Sequence, residues 1–214
     1  MLLRVDVRDL LIASWPTSRE AVARTLPPGL APAEVAGRHL VSVVALRYAG
    51  GRLGLLPILP FSQLNLRVYV SWRDEPAVFF LAARVTPSGL GGILLGAPYR
   101  PARLTFGRGL AEAPGLGLAL PYRVDGAGDP GPLGAHELGI FEAAGLRAFR
   151  IRRGEARWQR AVPDGPVRAD LLPAHGFDVS GEPELYYAER ASFEATVPPR
   201  RLPSASTKSS GSSA

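Results

Sequence analysis

The sequence predicts a mainly β protein with a few short helices, closed into an antiparallel barrel or a curled sheet. Three observations carry that prediction. Segments of alternating or β-branched apolar residues recur along the chain. Turn-forming residues separate them, with 24 Gly and 21 Pro in 214 residues. Helical patterning is confined to short stretches, and no internal repeat or second domain is visible.

Residues 1–14 read as a strand. Trp15-Pro16 breaks it, and Thr17 with Glu20 three residues on has the form of a capping box opening a helix through Leu26. Pro27-Pro28-Gly29 stops that helix, and Leu30 to Gly37 is a loop. His39 to Tyr48 is apolar on both faces, as in a buried strand, with a turn at Ala49–Arg52. The following apolar segment carries Pro57 and Pro60 and reads as a loop over apolar surface.

Residues 61–72 form the pivotal strand. Gln63, Asn65, Arg67, Tyr69 and Ser71 fall on one face; Leu64, Leu66, Val68, Val70 and Trp72 fall on the other. Alternation of this kind usually marks a half-solvated antiparallel strand. Its second reading is a polar wall lining a ligand cavity. A four-residue connection, Arg73–Pro76, leads to a central strand over Ala77–Val85, and the two form a hairpin.

Residues 86–96 are glycine-rich but match neither a P-loop nor a dinucleotide fingerprint; Gly89–Leu95 reads as a helical turn. Arg103–Leu110 and Leu118–Val124 read as strands, with Asp125–Gly134 a loop between elements. His136–Ala144 reads as a short helix stopped by Gly145. Leu146–Arg153 and Ala156–Val162 read as a hairpin around Gly154-Glu155. Val167–Leu172 reads as a short helix and Leu185–Val197 as a last long strand. The division is therefore one domain over 1–197 and a disordered, low-complexity tail over 198–214.

Composition removes several function classes. There is no cysteine, hence no disulfide, thiolate nucleophile or Cys-based metal site. His39, His136 and His175 show no metal-ligand spacing, so no metal and no cofactor are expected. The net charge is +6, but the arginines are dispersed and no nucleic-acid motif accompanies them. No apolar run spans a membrane and the N-terminus does not read as a signal peptide, so a cytoplasmic location is expected. The only lysine is Lys208, in the tail. Lysine Schiff-base chemistry is thus unavailable to the folded body.

Three segments carry a family resemblance: Leu64-Asn65-Leu66-Arg67-Val68-Tyr69-Val70, Val78-Phe79-Phe80-Leu81 and Pro98-Tyr99-Arg100-Pro101-Ala102. With weaker matches at Trp15, Leu26–Leu30 and Glu182–Tyr187, they resemble the YqjF-like proteins of the acetoacetate-decarboxylase-like superfamily. The resemblance implies an acetoacetate-decarboxylase-like antiparallel β-barrel. It also exposes departures. Gln63 stands where that family usually has a glutamate, and Ser14 where it often has a histidine. Acetoacetate decarboxylase uses a lysine after Gly-x-Pro; Gly96-Ala97-Pro98 is followed here by Tyr99 and Arg100.

The candidate ligand-binding residues are therefore Gln63, Asn65, Arg67, Tyr69, Tyr99 and Arg100, for a small carboxylate or carbonyl compound. Arg67 is either the clamp on an anion or one half of a structural ion pair with Asp74, Glu75 or Glu189. Tyr99 reads foremost as a core aromatic whose hydroxyl finds a partner. Two competing readings remain open: a lyase or isomerase using Tyr99 and Arg100, and a homo-oligomeric interaction module built through the apolar Leu53–Pro60 segment.

Overall fold

The computed structural model describes residues 1–86 and 98–203. The expected helical turn at Gly89–Leu95 lies outside them. Strand β1 (Leu2–Pro16) leads into helix α1 (Arg19–Arg24). The helix is capped by Ser18, whose Oγ accepts from the Ala21 N–H at 3.0 Å. The cap is one residue later than the Thr17 expected, because Ser18 holds the extended backbone that an N-cap needs. Short β2 (Ala31–Pro32) pairs with Val70 and Ser71 and lies where a loop was expected.

β3 (Leu40–Leu53) runs through the expected turn at Ala49–Arg52. Gly51 supplies the reason: a Cβ there would collide with the Arg4–Val5 backbone of β1, so glycine permits close strand pairing rather than a bend. The turn falls at Gly54, and β4 (Leu56–Ile58) folds back onto β3. Leu55, Leu56 and Leu59 stand exposed there.

β5 (Phe61–Trp72) and β6 (Glu75–Thr86) form the expected hairpin, though with a two-residue turn. Arg73 and Asp74 both have positive φ, as the tight hairpin turn that follows strand twist demands. After short β7 (Arg100–Pro101), the expected strand at Arg103–Leu110 is divided between β8 (Thr105–Gly107) and β9 (Leu110–Ala113), with a turn at Arg108-Gly109. β10 (Leu118–Ala127) follows, then the single turn α2 (Pro132–Ala135).

His136–Ala144 is not a helix. Leu138–Glu142 is β11, parallel to β6 and buried except at its last residue. Tertiary pairing overrides its local helical spacing. β12 (Leu146–Arg153) and β13 (Trp158–Pro163) exist, but they are not a hairpin. Both pair with β15 (Glu184–Thr196), β13 along its first half and β12 along its second. β14 (Arg168–Ala169) and α3 (Leu171–Ala174) occupy the region expected as one helix. Nor does the fold end at residue 197: β16 (Arg200–Arg201) pairs with β12 and Leu202 is buried.

Seven strands close into a barrel in the order β12-β11-β6-β5-β3-β1-β15, the β15–β12 pairing completing the ring. The chain is thus mainly β, and all neighbouring pairs in the ring are antiparallel except β6–β11. Residues of β8 to β10 and α3 pack on its outside, against Leu64, Leu66, Val68 and Val70 of β5. Both faces of β5 are consequently buried, and the half-solvated reading of that strand does not hold.

One bulge reorganises β1. Asp9 has φ 50° at the register shift between β1 and β3, which turns its carboxylate into the fold. Its two oxygens accept from the Tyr187 hydroxyl at 2.8 Å and the Arg47 guanidinium at 2.6 Å.

On β11, Gly139 lies beneath two phenyl rings. An added Cβ would stand 2.8 Å from Phe149 and 2.9 Å from Phe80. Both rings are half-buried and line the cavity, and both would have to shift to make room. Gly139→Ala is expected to destabilise the protein by about 1–3 kcal/mol through overpacking, measured as a lowered denaturation midpoint with an unchanged m-value.

Candidate functional site

The lumen holds a cavity of about 520 Å3. Its wall is built unequally. β1, β3 and β15 contribute carbon: Val5 and Ile12, Val44 and Leu46, Phe193 and Ala195, with the Tyr48 hydroxyl as an exception. β5 contributes Gln63, Asn65 and Arg67, every second residue, because a strand alternates its faces. The polar wall read from the sequence therefore does face a cavity. Gln63, Asn65 and Arg67 are all buried, at 4, 6 and 5% exposure.

Arg67 has none of the ion-pair partners proposed for it. Among the described residues no carboxylate oxygen lies within 4.0 Å of its guanidinium, and the remaining segments contain no Asp or Glu. Glu75 pairs instead with Arg150, at 2.6 Å. One Arg67 nitrogen donates to the Leu133 carbonyl at 3.0 Å and to the Tyr69 hydroxyl at 3.3 Å. Its Nε is buried without a partner. A buried cation lacking a counter-ion costs several kcal/mol unless something else neutralises it.

Two groups join Arg67 that the sequence did not point to. Arg153, at the end of β12, also lines the cavity, donates to the His136 carbonyl at 3.1 Å and leaves its own Nε unpaired. Burial, with Arg67 as the second cause, pulls the Arg153 guanidinium down to about 10. His136 stacks obliquely against Tyr69, with ring centroids 5.0 Å apart. Burial first, then the charge of Arg67, lowers its imidazole to about 4, so it is neutral at physiological pH. The cluster concentrates positive charge, and the acid that acts on it, Glu137 near Arg153, is exposed.

The other candidate residues are placed differently. Tyr69 does not line the cavity but anchors the cluster through Ser42, whose Oγ lies 3.0 Å from its hydroxyl and 2.7 Å from Ser14 Oγ. Asn65 receives a hydrogen bond from Gln63 Nε2 at 2.9 Å, and Gln63 Oε1 is left without a partner. Tyr99 lines the cavity; burial, then Tyr48, pushes its hydroxyl well above the usual phenol range, with Gln63 offsetting this in part. Arg100 is exposed on β7 but reaches the cavity lining, beside Arg84 and the exposed Glu142. These three supply the charged groups at the solvent-facing side. No group of His, Asp and Glu suited to a metal ion occurs among the described residues.

The family model described as "Uncharacterized conserved protein (COG2071)" matches residues 4–123, from within β1 to within β10, and takes in Gln63, Asn65 and Arg67. The chain belongs to this family. A curated member-like relative, the uncharacterized protein YqjF of Bacillus subtilis (strain 168), is 27% identical over 85 residues, 38% of this chain and 35% of YqjF. The match thus spans about a third of that relative's length. Solved structures agree on the fold. An acetoacetate decarboxylase-like enzyme from Sphingomonas wittichii RW1 aligns with TM-score 0.67 and 17% identity, over 95% of this chain and 93% of that one. The acetoacetate decarboxylase of Legionella pneumophila gives 0.68 and 12%, over 96% and 88%. The enduracididine biosynthesis enzyme MppR, solved with pyruvate, gives 0.63 and 12%, over 95% and 91%. This chain therefore shares the acetoacetate-decarboxylase-like barrel with these proteins, at identities that speak to fold alone.

The lowered His136 imidazole links the site to acid stability. The unfolded chain protonates His136 near 6.5 and the fold only near 4. Between those values the unfolded state binds more protons, so stability falls as pH falls through that window and is fully present above it. Because His136 is only part-buried, the effect is on the order of 1–2 kcal/mol after screening. His136→Gln is expected to flatten the stability profile between pH 6.5 and 4, read from urea denaturation at both ends.

Proposed function

We propose that this protein binds a small acidic or carbonyl metabolite in the barrel cavity, with Arg67 holding the acid group. The observation that carries the reading is a buried, cavity-facing guanidinium without a carboxylate partner. An anion against the guanidinium would offset the burial cost, through charge-assisted hydrogen bonds that match a carboxylate well. Arg153 supports the same end, while Asn65 and Tyr99 offer orienting polar groups. Pyruvate, which MppR is described as binding, is a reasonable first ligand here on grounds of fold and charge.

Chemistry by a lysine iminium is outside this reading, since the chain has no lysine before Lys208. The alternative, proton transfer or carbonyl polarisation by Tyr99 and Arg100, has weaker support. Arg100 is exposed, and Tyr99 is held neutral by burial, fit to donate a hydrogen bond rather than to act as a base. Gln63 adds no acid or base. The reading as an interaction module would require no polar cavity, and Arg67 weighs against it; the exposed Leu55, Leu56 and Leu59 are its best support.

A thermal-shift titration with small carboxylates and 2-keto acids tests the proposal on wild type and Arg67→Met. A ligand of the native state at a hundredfold excess over its Kd adds about 2.7 kcal/mol. The expected result is an upward shift for wild type and none for the folded variant. Equal shifts in the two proteins would remove Arg67 from the site.

A further inference from the structure

The cavity is too large and too one-sided for a three-carbon acid alone. At about 520 Å3 it falls in the range of pockets that take ligands several times the size of pyruvate. A pyruvate-sized ligand would leave most of the space beside Val5, Ile12, Val44, Leu46 and Phe193 filled with water. Those side chains offer such water nothing to bond. Cavities of this size and lining usually hold ligands that bury most of their own apolar surface.

Polarity across the lumen is segregated. The β5 side carries Gln63, Asn65 and Arg67, and half-buried Arg153, with its Nε enclosed, adds a second cation. The side made by β1, β3 and β15 is carbon apart from Tyr48. A ligand polar all round would leave hydrogen-bonding groups unmet on that side, at a cost of about 1–3 kcal/mol each. A ligand wholly apolar would leave two buried guanidinium nitrogens unmet.

We infer that the ligand is an amphiphile: an acid head between Arg67 and Arg153, joined to an aliphatic or aromatic body lying on the carbon wall of β1, β3 and β15. This rests on the anion-binding reading above and adds the class of the body. Head-group contacts fix orientation, and burial of the body supplies the affinity that grows with size.

Isothermal titration of wild type with pyruvate, 2-oxobutanoate, 2-oxohexanoate and 2-oxooctanoate tests it, with 2-octanone as the neutral counterpart. The expected result is a Kd that falls roughly fourfold for each added methylene until the cavity is full. 2-Octanone should bind far more weakly than 2-oxooctanoate. A Kd that stays flat or rises from pyruvate to 2-oxooctanoate overturns the amphiphile while leaving acid binding intact. Equal affinity for 2-octanone and 2-oxooctanoate overturns the acid head instead. Absence of binding across the series overturns both.

Discussion

Closure of the ring by β12 against β15 is the constraint from which the site follows. A closed barrel has no free edge inside the ring, and its inward side chains see only one another. Inward residues must then fill the lumen or line a space. Here the outer layer, with Leu64, Leu66 and Val68, is packed in the ordinary way, while the inner layer stops short of filling. Into that unfilled interior the same strand that anchors the outer core projects Arg67. The strand serves packing on one side and lines the cavity on the other, because successive residues point opposite ways.

Arg67 is held by groups too weak to neutralise it. A carbonyl and a phenol orient a guanidinium but do not cancel its charge. The same holds for Arg153 and the His136 carbonyl. Burial is the first cause that keeps His136 neutral and lowers Arg153, and the charge of Arg67 adds to both. Such an arrangement costs stability, and perturbed groups of this kind are found at sites more often than in packing.

The sequence made the first half of this legible. Strict alternation over residues 61–72 located the polar wall, and β1, β3, β6 and β15 showed in their apolar patterning. What escaped it was set by contacts distant along the chain. Leu138–Glu142 carries apolar residues at spacings that suit a helix turn, and only its berth beside β6 makes it a strand. β12 and β13 look like a hairpin because a Gly-Glu pair separates them; they diverge because β15 is long enough to receive both. Arg153 and His136 were hidden for the same reason. Nothing in a run of arginines after Phe149 tells which one turns inward, and the nearest signal, alternation with Ile151, gives a face but not the neighbour across the lumen.

The long reach of the β1–β15 pairing has a kinetic consequence. Leu3 lies opposite Ala195 and Val5 opposite Phe193, so the ring joins residues from the two extremes of the domain. Contacts so far apart in sequence close slowly, after a large loss of chain entropy. The lumen, with Val5 and Phe193 in its wall, is complete only once that closure has occurred. A molecule recognised by the finished lumen has little to hold before then. It would act mainly by slowing the opening of the ring, prolonging the life of the native state without hastening its formation.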